Sequence, residues 1–326
     1  RDRVYVADQQ AAHIAVFELS GAPLGVVGGA GSGPGEFTYL NDLEISGDRL
    51  SVFDHGSSRM TTFSLQDSIP RLLRSVRVEV IGDDYSASGW HAALADEFLV
   101  LFRTAQLVND SVVNRPDRLR RVSGDGTVLD DGIDVAGIRS LVVSSSVTSM
   151  PFGGSFDVLT APGGHAVVME TASDSVVIVG DDQEVSVVRL EGLGRRPVTE
   201  EEIEVYIQSI EGPSPAIADL LRQPIRDGAE LGLLPEQHPR YLGLAVVDGG
   251  YWVRLLTDDH EQVSGALGPE YRSSYELLVR YDSDGTPTDT VRIGMNARLE
   301  AATNSLLVLV STDPLGVERV VVVPTG

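Results

Sequence analysis

One unit recurs along this chain, and few folds accommodate it. An apolar alternating stretch leads into a tight polar turn and a second alternating stretch, often closed by an acid. The unit occupies residues 43–54, 92–102, 158–170, 242–254 and 297–310, and half of it opens the chain as Val4, Tyr5, Val6, Ala7 and Asp8. Alternation with period two around Gly, Asp and Asn turns predicts β-hairpins rather than helices. A second hairpin signature follows several copies, at residues 16–24, 119–128 and 278–286. Two hairpins per repeat supply four strands, the content of one propeller blade. The 326 residues thus predict a single all-β domain over 1–326, a six-bladed β-propeller with roughly 54 residues per blade.

That spacing exceeds the common propeller repeat, and the surplus falls in two loops. The larger, residues 197–239, reads as a short helical insertion between blades 4 and 5. Thr199 and Glu202 form a capping box ahead of Ile203, Ile207 and Ile210 on one helical face, and Ser214-Pro215 opens a second helix. A Ser/Gly-rich stretch at 144–154 is the other excursion. Counting strands around the ring leaves the first repeat without its innermost strand and the last without its fourth. The expectation is that chain upstream of Arg1 supplies both and hides the free edges.

Residues 28–37, with the run Gly33, Pro34, Gly35, Glu36 and Phe37 after Val4–Asp8, resemble the NHL-type repeat of six-bladed propellers. The closing segment 313–322 resembles the last blade of uncharacterised exported propellers from GC-rich, Gemmatimonas-type bacteria. Blades three and four lack the Gly-Pro-Gly-x-Phe connection. The resemblance implies the fold and an exported protein; the expected location is periplasmic or extracellular, with membrane anchoring through a segment upstream of Arg1 as a separate expectation. The resemblance implies no activity, since such propellers are functionally diverse.

Composition removes whole classes of chemistry. With no Cys and no Lys among 25 basic residues, thiol nucleophiles, thiolate zinc sites, the phosphate-loop lysine and Schiff-base mechanisms are unavailable. The formal charge of −23 repels phosphate backbones and anionic lipid, so no nucleic-acid partner is expected. Cations and arginine-rich protein surfaces are the complementary partners. No apolar run reaches the ~20 residues of a membrane helix.

Two tempting motifs have structural explanations. The glycines of 28–37 suit a tight interblade connection with Phe37 plugged between sheets, since no helix and no Lys follow to meet a phosphate. Asp282–Gly285 and Gly124–Gly126 lack the remaining ligands of calcium loops and read as hairpin turns. Two candidate regions remain. Residues near the starts of the inner strands would line the central channel: Asn41, Asp42, His91, Asp157 and Asn296, with Arg240 at the matching place in blade 5. Oxygen ligands from Asn41, Asp42, Asp157 and Asn296 suit Ca²⁺, with His91 as a base, in a lactonase-like hydrolase or lyase. The insertion instead offers Ile203, Val205, Tyr206, Ile207, Leu220 and Leu221 to a protein partner, or to the propeller's own face. The leading expectation is a non-enzymatic scaffold without cofactor, an accessory subunit of a membrane-associated complex. The cation-dependent enzyme is the alternative.

Overall fold

In a computed structural model, the chain folds into a six-bladed β-propeller. The structure describes residues 3–80, 86–94, 97–103, 117–135, 140–143, 146–180, 184–265, 268–294, 296–313 and 317–325. Blade 1 holds β1 (Arg3–Asp8), β2 (His13–Glu18) and β3 (Pro23–Gly28). Blade 2 holds β4 (Leu40–Ser46), β5 (Arg49–Asp54), β6 (Arg59–Ser64) and β7 (Arg71–Arg77). Blade 3 comprises β8 (Ser86–Ala93), β9 (Glu97–Arg103), β10 (Asp117–Ser123) and β11 (Ile133–Val135). A hairpin of β12 (Ser140–Val143) and β13 (Ser146–Ser149) precedes blade 4, which is β14 (Phe156–Thr160), β15 (Ala166–Glu170), β16 (Ser175–Val179) and β17 (Val185–Arg189).

Helices α1 (Glu200–Ser209) and α2 (Pro215–Glu230) then intervene between blades 4 and 5, where the capping signals place them. Blade 5 pairs β18 (Tyr241–Val247) and β19 (Gly250–Leu255) with β22 (Glu276–Asp282) and β23 (Pro287–Ile293). A hairpin of β20 (Glu261–Gly265) and β21 (Gly268–Arg272) interrupts it. Blade 6 is β24 (Ala297–Ala302), β25 (Leu306–Thr312) and β26 (Glu318–Pro324). Among the described residues, the first and last sheets thus have three strands each.

Neighbouring strand residues face opposite sides of a sheet, and here both sides are core. Val52 packs with Ile14, Val16 and Phe37 toward blade 1, whereas Phe53 packs with Ala87, Phe98 and Val100 toward blade 3. The same division separates Leu99 from Val100 and Val167 from Val168. In blade 5, Leu244 faces blade 4 while Ala245 and Trp252 face blade 6. Middle strands therefore read as nearly continuous apolar runs, which is why the repeat is conspicuous. Phe37 is fully buried between blades 1 and 2, and a Cβ at Gly28 (φ +88°) would lie 2.3 Å from its ring. The glycine there combines a left-handed conformation with close contact.

Candidate functional site

Inner strands β4, β8, β14, β18 and β24 surround the axis, and period two turns Asp42 and Glu44 to the face opposite Leu43. Asp42 Oδ2 lies 2.9 Å from His91 Nδ1 and accepts from the His91 backbone N–H at 3.0 Å. His91 Nε2 is 3.0 Å from the Ser51 hydroxyl. The imidazole sits between the rings of Phe53 and Phe98. Asp, His and Ser thus follow the order of a proton-relay triad. Yet Ser51 is only 1% exposed and His91 is fully buried. With Ser51 and His91 sealed and the Asp42 side chain 22% exposed, the three residues tie blade 2 to blade 3.

Glu44 makes a second clasp. Its Oε2 accepts from the Thr160 N–H at 3.1 Å, and the Thr160 hydroxyl accepts from the Ala93 N–H at 2.8 Å, joining blades 2, 4 and 3. Glu44 and Asp157 keep a little open surface toward the channel but are otherwise enclosed by protein. Burial, followed by repulsion from Asp42, holds both carboxyls well above the usual range; Asp157 adds to the effect on Glu44, and Glu300 to that on Asp157.

The structure brings only part of the expected channel set together. Asp42 and His91 meet, and Asp157 lies within electrostatic reach of Asp42. The side chain of Asn41 lies outside the described residues. Asn296 sits at the rim, where its Oδ1 accepts from the Ser273 N–H at 3.4 Å. Arg240 departs from the expectation: its guanidinium donates to the Leu193 carbonyl at 3.4 Å, in the connection that leaves blade 4. Among the described residues, no three His, Asp or Glu side chains converge closely enough to hold a metal ion. Ser51, Glu44 and Thr160 complete the clasps and were invisible to sequence reasoning, because their partners come from other repeats.

A cavity of about 880 Å³ opens between blades 4, 5 and 6, walled by Thr171, Leu242, Arg254, Tyr271, Asn296 and Arg298 among others. Behind it runs a buried polar ring. Arg254 grips Glu276 through Nε (2.6 Å) and Nη2 (2.8 Å), and His260 Nε2 lies 3.1 Å from the same carboxylate. The Thr257 N–H points at His260 Nδ1 (3.1 Å), so Nδ1 accepts and Nε2 carries the proton toward Glu276. Arg196 bonds the carbonyls of Thr257 and His260 and pairs with Glu202 of α1. His238 links Glu202 (3.1 Å) to the Tyr271 hydroxyl (2.9 Å), and the Tyr271 carbonyl returns to Arg254 at 3.4 Å. Desolvation pushes the Glu202 carboxyl up. The Thr199 N–H, His238 and the Thr199 hydroxyl outweigh it and bring the group to about 2. Burial holds the His238 imidazole below its ordinary value despite the adjacent carboxylate.

This ring anchors the insertion from one side, and a satellite core anchors it from the other. Tyr206, Ile207, Ile210 and Ile225 pack with Leu141, Val143 and Phe152, with Ile203 against their edge. The rings of Phe152 and Tyr206 meet edge-on at 5.8 Å. The six partner-binding candidates therefore divide. Tyr206 and Ile207 are buried against the propeller's own hairpin, and Ile203 and Val205 are half-buried, whereas Leu220 is 71% exposed and Leu221 is also exposed. Ile217, Leu231 and Leu233 join that exposed set and were not foreseen.

Residues 1–74 match a family model described as DUF5128, 6-bladed beta-propeller. No curated protein matches the chain. Among solved structures, a member of the DUF4221 family from Bacteroides vulgatus aligns with a TM-score of 0.56 at 11% identity, over 99% of this chain and 88% of that one. A Bacteroides fragilis protein described provisionally as exported gives 0.52 at 13%, over 95% and 77%. Virginiamycin B lyase from Staphylococcus aureus gives 0.39 at 10%, over 98% and 80%, too slight a likeness to carry an argument. At these identities the likeness concerns the fold.

Proposed function

We propose that this chain is a non-enzymatic, extracytoplasmic β-propeller that binds another protein, as an accessory or scaffold subunit of a larger membrane-associated assembly. The observation that carries this reading is the set of exposed apolar side chains Ile217, Leu220 and Leu221 on α2, a helix fixed along one flank to the propeller's β12–β13 hairpin through Ile225 and Gly228. A ring of blades needs no such face, and long insertions on rigid scaffolds often bind partners. The channel carboxylates Asp42 and Glu44 serve bonds between blades. That use favours a scaffold over a cation-dependent hydrolase or lyase.

The extracytoplasmic location draws support from the likeness to the Bacteroides fragilis protein described as exported. An NHL-like repeat and a GC-rich, Gemmatimonas-type source belong to the same reading, supported by the connection at residues 28–37 and by arginine as the sole strong base. Native mass measurement after gentle extraction from the source cells tests the proposal. The wild-type chain is expected in a heteromeric complex. The Leu220→Asp, Leu221→Asp variant is expected as free monomer with unchanged melting temperature. A wild-type chain recovered only as monomer would overturn the reading.

A further inference from the structure

The docking face carries information about what covers it. Ile217, Leu220 and Leu221 follow the i, i+3, i+4 spacing of a face that receives a helix. Leu231, the C-cap residue, is 66% exposed and continues the same side of α2. From Ile217 to Leu231 the exposed apolar side chains span about 20 Å at the helical rise of about 1.5 Å per residue, with half-buried Pro224 and buried Gly228 between the two ends. That is the footprint of about four turns of a partner helix.

Charge selects among apolar occupants. Residues 197–239 carry nine acidic side chains and two arginines. One of these, Arg222, is held internally: it donates to the carbonyls of Ile207 (3.0 Å) and Gln208 (3.2 Å) and pairs with Asp219 at 3.3 Å. The last turn of α2 contains no basic residue but does contain Asp227, whose Oδ1 accepts from the Gln223 amide at 2.6 Å, and Glu230, with Arg226 just before it. Acids there face the negative end of the helix dipole, where cations are favoured. The chain thus places an unfavourable charge arrangement beside its exposed leucines, and a cationic side chain from outside relieves one while an apolar side chain covers the other. The same field, within a chain of net charge −23, disfavours an anionic membrane surface.

We infer that the partner presents an amphipathic helix with Leu-type residues on one side and Lys or Arg along its border, seated on α2 with a basic residue against Asp227 and Glu230. This rests on the protein-binding reading above and adds the chemistry of the partner. Fluorescence anisotropy of the full-length chain with three synthetic amphipathic helices tests it: a Leu/Lys peptide, its Leu/Gln counterpart and its Leu/Glu counterpart. A fourth arm uses phosphatidylserine vesicles. The Leu/Lys peptide is expected to bind at least about tenfold more tightly than the Leu/Gln peptide and to weaken about tenfold as salt rises. Leu220→Asp should abolish its binding, and Asp227→Asn with Glu230→Gln should remove most of the Lys-over-Gln preference.

Equal binding of the Lys and Gln peptides would overturn the charge inference while leaving α2 as a docking face. Leu/Lys binding that survives Leu220→Asp would mean diffuse attraction to an acidic surface and would overturn the site. Vesicle binding lost in Leu220→Asp would replace the protein helix by a lipid surface. Failure of the broader reading is distinct, because it appears as a wild-type monomer in native extracts whatever the peptides do.

Discussion

The Asp54 carboxylate, at the end of β5, accepts from the backbone N–H groups of Thr38 (3.0 Å), Tyr39 (2.7 Å) and Gly56 (3.2 Å), and from the hydroxyls of Thr38 and Ser57. It fastens the incoming interblade connection to the turn after β5. Desolvation alone would raise its pKa, but the Ser57 hydroxyl and the Thr38 and Tyr39 donors hold it below its ordinary value. Asp54→Ala leaves buried donors without an acceptor and is expected to cost about 2–4 kcal/mol in urea unfolding. The native carboxyl is depressed, so its stabilisation is complete above the unfolded value of 3.8 and disappears as pH falls through the native one. Acid titration of the Ala variant should lack that component. Glu202 behaves likewise over a wider window, its contribution fading from 4.5 toward about 2. His238 adds a loss of its own as pH falls below 6.5, because the unfolded imidazole takes up a proton more readily than the buried one. Thermal denaturation should therefore show a shallower decline in Glu202→Gln than in the wild-type chain below pH 4.5, and a steeper one between pH 6.5 and pH 4.5, where His238 has lost the carboxylate that raises its pKa. Parallel curves would refute the assignment.

At the scale of elements, each hairpin and helix could be read from the sequence when its signal was local. Thr199 does cap α1, its hydroxyl accepting from the Glu202 N–H while Glu202 returns a bond to the Thr199 N–H. The β12–β13 and β20–β21 hairpins escaped notice, because their strands of four or five residues pack on helices and do not extend a blade. The candidate site was less legible for a related reason. Alternation tells that Asp42 faces the axis, but no pattern in one repeat reveals that Ser51 and His91, forty positions apart, will meet. The insertion shows the same limit, since helical periodicity marks Tyr206 and Leu220 equally as apolar. Their fates differ, and so should their variants. Tyr206→Ala removes a buried ring next to Phe152 and is expected to cost about 3–5 kcal/mol, exposing residues 197–239 to limited proteolysis while the blades stay protected. Leu220→Asp changes a side chain already in water and should leave both the melting temperature and the protease pattern unaltered.

For the whole molecule, the question is what the axial carboxylates contribute in a ring already carrying a charge of −23. Glu44 differs from Asp54 and Glu202 in sign, because burial and the neighbouring Asp42 and Asp157 raise its pKa. Its ionisation opposes folding: the stabilisation is full below the unfolded value of 4.5 and is lost as pH rises through the native value. What the fold needs at this position is an acceptor for the Thr160 N–H, not a charge. An amide keeps that acceptor and removes the repulsion from Asp42 and Asp157. Glu44→Gln is thus expected to melt about 2 °C or more above the wild-type chain at pH 8, with the gap closing toward pH 5. Glu44→Ala, which orphans the Thr160 N–H, should melt lower at both pH values. Added salt should raise the wild-type melting temperature by screening the surface charge, yet close little of the gap, because enclosed carboxylates are screened weakly. Calorimetry of the three proteins at the two pH values decides the matter. A lower melting temperature for Glu44→Gln at pH 8 would show that the axial charge itself holds blades 2, 3 and 4 together.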